Sequence, residues 1–190
     1  VMNTQRALIY VERRKVLMGA DFRSTFLDFL DKIVEFKLAK FASKELHRED
    51  WDLASVYNAL LAIAPLHQYV SPEQLVQIPS HDVIDETLKQ ALRQAYEDRE
   101  QELGAEMMRS IERWVLLQDI ETRWIEHLEA MDYLREGIGL RAYGQVDPVV
   151  AYQKESFSLF DELLASIRDE AVGMMFRVQL AKQPVRASYR

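Results

Sequence analysis

Residues 114–179, WVLLQDIETRWIEHLEAMDYLREGIGLRAYGQVDPVVAYQKESFSLFDELLASIRDEAVGMMFRVQ, decide the fold. Leu117, Ile120, Trp124, Leu128, Met131 and Leu134 recur at steps of three or four. Asp119, Glu121, Glu126, Glu129, Asp132 and Arg135 fill the other faces, the pattern of an amphipathic helix with one buried stripe. A second stripe, Phe157, Phe160, Leu164, Ile167, Ala171, Met174 and Val178, has the spacing of a coiled-coil seam. Between the two lies GIGLRAYGQVD, residues 137–147, which the glycines mark as a short loop. Asp147 before Pro148 is a strong helix start, because the carboxylate accepts free N–H groups and proline at the first helical position loses no needed donor. The segment is therefore an antiparallel helical hairpin. An arm from Pro148 to about Gln179 would reach nearly 50 Å at about 1.5 Å per residue. The tip, with Leu140, Arg141, Tyr143 and Gln145, is where function is to be sought.

Working outward, the rest of the chain is helical too, and the expected fold class is all-α. Val1 to Met18 reads as a helix in which Met2, Ile9 and Val16 recur every seven residues, with Gly19 as its stop and its packing partner expected outside the chain. Phe22, Phe26, Phe29, Ile33 and Phe36 mark a second helix. Asp52 caps a third, with Trp51 and Val56 placed as a hydrophobic staple, and Pro65 ends it. Ser71-Pro72-Glu73-Gln74 is a capping box opening a short helix, and Ile84, Leu88, Leu92 and Tyr96 mark another that reaches a bend at Gly104. Leu53 to Pro72 has no Asp, Glu, Lys or Arg, yet Asn58, Pro65, His67, Gln68 and Ser71 interrupt it, so it reads as a core helix and a loop rather than a membrane span. The charged amphipathic start does not resemble a signal peptide.

At 190 residues and 48% hydrophobic content, with six glycines and five prolines, the chain is neither disordered nor fibrous. A net charge of −7 argues against a nucleic-acid surface, and Arg13-Arg14-Lys15 beside Glu12 reads as a solvated helix face. The absence of cysteine excludes disulfides, thiolate nucleophiles and thiolate metal sites. His47, His67, His81 and His127 lack metal-ligand spacing, so no metal site and no metal-dependent hydrolase is expected. Glu126 and Glu129 lie on an outer face where raised pKa values are unusual, Gly137-Ile138-Gly139 follows a helix rather than a strand, and Trp114 and Trp124 read as core. No catalytic residue is assigned. Within the tip, Leu140 and Tyr143 either fold back on the hairpin end or stand free as a contact surface.

The stretch from Gly104 to Ile167, and within it WIEHLEAMDYLREGI, LRAYGQVDP and the KESF of Lys154 to Phe157, closely resembles the carboxy-terminal part of the SecA family of preprotein translocase motors. The opening VMNTQRALIYVERRKVL resembles the end of that family's long scaffold helix. The resemblance implies a scaffold-helix end over residues 1–19, a helical wing domain over 20–104, a two-helix finger over 105–180 and a linker over 181–190. It also implies a role in coupling ATP hydrolysis in motor domains to preprotein movement through a SecY-type channel. Leu140, Arg141, Tyr143 and Gln145 would contact the polypeptide and channel, and Tyr143 offers a flat apolar face suited to any side chain. No Walker-type loop or DEAD-type motif is present, so the sequence reads as a piece of a longer protein that does not hydrolyse ATP alone, with ATP and Mg bound by motor domains elsewhere. Further implied partners are those motor domains, an unfolded preprotein, an anionic membrane surface and a second copy in a homodimer. The implied location is cytoplasmic, peripheral to the inner face of the cell membrane. The chain departs from the family at Val146, where a basic residue is common. The alternative reading is a free-standing helical adaptor that binds a partner helix through its exposed seams and has no link to ATP.

Overall fold

The computed structural model describes residues 1–141, 144 and 147–180. The described residues contain helices and no strand, with seven α-helices in chain order: α1 (Met2–Leu17), α2 (Phe22–Phe41), α3 (Leu53–Leu61), α4 (Pro72–Gln77), α5 (His81–Leu103), α6 (Ala105–Arg141) and α7 (Pro148–Arg177). The caps explain where they begin. Asp21, Asp52, Ser71, Ser80 and Asp147 each accept a backbone N–H from the first turn of the helix that follows, and at Ser71 the Gln74 side chain completes the capping box. The capped segment Leu53–Pro72 folds as α3, a short 3₁₀ turn and a loop, and no helix among the described residues is long and apolar enough to cross a membrane.

Gly19 and Gly104 are the positions where backbone freedom matters. Gly19, at φ +81°, lets Ala20 N–H reach Lys15 O at 3.0 Å and Gly19 N–H reach Val16 O at 3.4 Å, which closes α1 with a Schellman motif. Gly104, at φ 85° and ψ 149°, separates α5 from α6.

α6 and α7 pack along their lengths as the expected antiparallel hairpin, and α1, α2 and α5 gather against the base of α6. The contiguous core runs through Phe26, Leu30 and Val34 of α2, Leu88, Leu92 and Tyr96 of α5, and Val115, Ile120 and Ile167 of the hairpin. Met131 and Leu134 are buried but lie outside this core, held within the distal hairpin itself.

Several expectations are corrected. The partner of α1 lies within the chain: Ile9 and Val16 are 1% and 4% exposed, and Arg13 bonds Glu121 across to α6 at 2.9 Å. Residues 137–141 are helical rather than loop, because half-buried Ile138 extends the Met131–Leu134 stripe by one more turn. On α7 the seam runs as expected through Phe160, Ile167 and Ala171, but Leu163 and Met175 are buried beside the expected Leu164 and Met174, and at its start Ser156 is buried and Phe157 is exposed. Gln5 donates to the Ser156 carbonyl at 3.1 Å, and only a small side chain leaves room for that approach. Val178 falls just past the end of α7, as its C-cap. Phe36 lies outside the α2 stripe, which passes instead through Leu30, Val34 and Leu38. Trp114 is 53% exposed, whereas Trp124 is core.

Candidate functional site at the hairpin tip

Three polar assemblies fix the hairpin between its base and a point past its middle. The first joins α1, α6 and α7. Since Gln5 donates through its amide nitrogen to Ser156, its oxygen faces His127, and the His127 Nε2–H donates to it at 2.7 Å. The His127 ring stacks on Trp124 and meets Phe160 edge-on, with centroids 5.4 and 5.9 Å apart. Burial lowers the pKa of His127 and keeps the ring neutral near pH 7.

The second assembly bridges α6 and α7. Asp119, expected on a wet face, is 4% exposed, and burial pushes its pKa up to about 7. The Arg123 guanidinium, 3.5 Å away, opposes that rise, and Arg123 also reaches Glu126 at 3.0 Å and Glu170 of α7 at 3.8 Å. Asp119 Oδ2 has no hydrogen-bond partner among the described residues.

The third assembly spans the Gly104 bend. The Tyr96 hydroxyl donates to fully buried Glu112 at 2.7 Å, and Arg109 donates to that hydroxyl at 2.8 Å and to Glu100 at 2.5 Å. Arg109 Nε lies 2.6 Å from the other Glu112 oxygen as an ion pair without aligned hydrogen-bond geometry. Burial raises the Glu112 pKa, and burial together with Glu112 raises that of Tyr96. Arg99 of α5 holds the other root, donating to Met175 O at 3.2 Å and to Val178 O at the end of α7.

A signal for the two buried acids was present in the sequence. Met108, Glu112, Val115 and Asp119 step by four, three and four, a stripe in which the acids hold core positions. The buried acids serve packing between helices. Among the described residues, no three His, Cys, Asp or Glu side chains gather as a metal site.

The free end of the hairpin has a different character. Leu140 is 75% exposed and does not fold back on the hairpin. Arg141 is the last residue of α6, and Tyr143 and Gln145, with Val146, lie outside the described residues. The structure adds neighbours that periodicity missed. Tyr133, Val149 and Val150 are 79%, 64% and 56% exposed, so apolar side chains stand in water on both arms near the tip. The adjacent pair Val149-Val150 is a legible signal, because two consecutive positions in the first turn of a packed helix cannot both face the partner. Leu140, Tyr133, Val149 and Val150 are thus exposed apolar side chains on both arms of the hairpin.

The fold and site define a class: an all-helical scaffold with a small helical wing and a long antiparallel hairpin anchored at its base. The chain belongs to the SecA wing and scaffold domain family, whose model matches residues 1–179. It is 44% identical over 182 residues to the protein translocase subunit SecA of Heliobacterium modesticaldum, covering 95% of this chain and 21% of that protein. Against the protein translocase subunit SecA of Syntrophobacter fumaroxidans the identity is 40% over 183 residues, covering 96% of this chain and 22% of the relative. Against protein translocase subunit SecA 1 of Thermobifida fusca it is 38% over 187 residues, covering 95% and 19%. The chain thus spans about a fifth of the length of these relatives.

Proposed function

We propose that this chain is the scaffold-end, wing and two-helix-finger part of a protein translocase. It transmits ATP-driven motion of motor domains to an unfolded preprotein in a SecY-type channel. The observation that carries the reading is a hairpin held by polar contacts from its root to past its middle, with exposed apolar side chains near its free end, in a chain of the SecA wing and scaffold family. Leu140, Arg141, Tyr143 and Gln145 meet the polypeptide and the channel, with Tyr133, Val149 and Val150 widening the apolar surface. Motor domains of the same protein supply ATP and Mg, so this chain alone does not hydrolyse ATP. It works in the cytoplasm at an anionic membrane surface, as a monomer or a homodimer.

The test uses the full-length protein with vesicles containing the SecY-type channel and a radiolabelled preprotein. Tyr143→Ala is expected to reduce ATP-dependent, protease-protected import at least several-fold while the ATPase rate without preprotein stays unchanged. Unimpaired import by a combined Leu140→Ala, Tyr143→Ala variant would sink the tip assignment. Adding the 190-residue chain to motor domains that lack it addresses coupling. A saturable change in ATPase rate supports the scaffold role, and no change with folded chain favours an independent adaptor.

A further inference from the structure

A half-open groove of about 620 Å³ runs between α1, α2 and α7, away from the hairpin tip. Its lining includes Val16, Phe29, Ile120, Phe160, Leu164 and Ile167. The charges on its rim are mostly cancelled: Lys15 pairs with Glu12 at 3.0 Å and Lys32 with Asp28 at 2.9 Å. Arg168 is the exception. Its guanidinium lies over the Phe36 ring at 4.6 Å and makes no ion pair among the described residues. The acids around it are engaged or out of reach, since Asp28 is held by Lys32, Asp169 by Lys37 at 2.8 Å, and Asp161 faces solvent without pairing to it. In a molecule of net charge −7, half-buried Arg168, drawn by Asp169, Asp28 and Asp161 but with no ion pair to any of them among the described residues, therefore marks this groove.

Burial lowers the Arg168 pKa against the pull of Asp169, Asp28 and Asp161, as expected for a guanidinium that has lost water without gaining a carboxylate. Such a group gains most from a planar, bidentate acid. The α2 wall from Phe22 to Lys32 is about 15 Å long at about 1.5 Å per residue, two to three turns of a helix laid alongside it. The apolar floor matches one face of such a helix, and the paired charges on the rim match its polar flanks.

We propose that this groove docks an amphipathic helix of another polypeptide, with its apolar face on Val16, Phe29, Phe160 and Ile167 and one carboxylate paired with Arg168. The site is separate from the tip and does not depend on the translocase reading.

The test uses the whole chain and a synthetic helical peptide of about three turns, with leucines at i, i+3 and i+7 and a glutamate one turn further on. Its probes are that peptide, a glutamine analogue and laurate. The glutamate peptide is expected to shift amide resonances of α1, α2 and α7 around the groove. Arg168→Gln is expected to weaken it about ten-fold while leaving the glutamine peptide unchanged, and Thr25→Trp, which fills the groove from its wall, should abolish both. Circular dichroism confirms that each variant is folded, and the two peptides compared on the unaltered chain give the answer if Arg168→Gln does not fold. Equal affinity for the two peptides, no binding, or shifts confined to other surfaces overturns the proposal. So does displacement of the peptide by laurate, which would make the groove a lipid site, or self-association that Thr25→Trp removes, which would make it a contact between copies.

Discussion

At the scale of single residues, the buried polar side chains determine how stability responds to pH. Asp119 titrates at about 7 in the folded chain against 3.8 for an ordinary aspartate, so the folded state binds the extra proton between those values and stability falls as pH rises across them. Asp119→Asn is expected to flatten this slope and to raise stability at pH 8 by about 1–2 kcal/mol, less than the full shift because Arg123 loses a countercharge. Urea unfolding at a series of pH values measures it, and an unchanged slope would refute it. His127 has the opposite sign: its lowered pKa means that stability declines as pH falls below the ordinary value of 6.5. Gln5→Leu leaves the His127 Nε2–H without an acceptor and should cost about 1–3 kcal/mol, much of it regained in the double variant Gln5→Leu, His127→Phe. His127 was not legible as a buried group from the α6 stripe, although the stripe through Met108, Glu112, Val115 and Asp119 did mark the two buried acids. The lower part of α6 is covered on more than one side, by α1, α2, α5 and α7, and burial there depends on the register of helices distant in sequence.

At the scale of elements, the sequence carries more. Capping residues and glycines place most helix ends, because they act through bonds a few residues long, as at Asp52, Ser71 and Asp147. The exception is the end of α6, where two glycines suggest a loop that the Ile138 packing overrides. Neither Gly137 nor Gly139 has an atom within 4 Å of where a Cβ would sit, and neither has positive φ. Gly137→Ala and Gly139→Ala should therefore each stabilise the chain by about 0.5–1 kcal/mol in thermal unfolding. A loss of stability would mean that the loop reading holds after all. Gly104→Ala should do the reverse and cost about 1–3 kcal/mol, since φ 85° with ψ 149° is a region essentially reserved for glycine. The exchange of Phe157 for Ser156 at the first turn of the α7 seam could not be read from periodicity, because Ser156 is where the α1 glutamine docks, while Phe160, Ile167 and Ala171 hold their expected places.

At the scale of the whole molecule, the antiparallel pairing of the hairpin was legible, while the length of α6 and the tip surface were legible only in part. Leu140 takes the exposed one of the two arrangements its sequence left open, Phe157 stands outside the seam it was expected to open, and Tyr133 was not singled out by periodicity. If the exposed apolar tip serves contact rather than folding, Tyr133→Ser should leave the unfolding midpoint within about 0.5 kcal/mol of the unaltered chain. A larger loss would show the residue packed in solution. The bend at Gly104 carries one more implication. α6 spans Ala105–Arg141, about 55 Å at about 1.5 Å per residue, and its root is a single unbranched residue braced by Tyr96, Arg109 and Glu112. Because the lower part of this rod is packed into the core with α1, α2 and α5, it tilts only with that body, and a tilt of about 5° carries the far end roughly 5 Å, close to one helical pitch. A small tilt of the packed body would thus register at the tip as a stroke of molecular size.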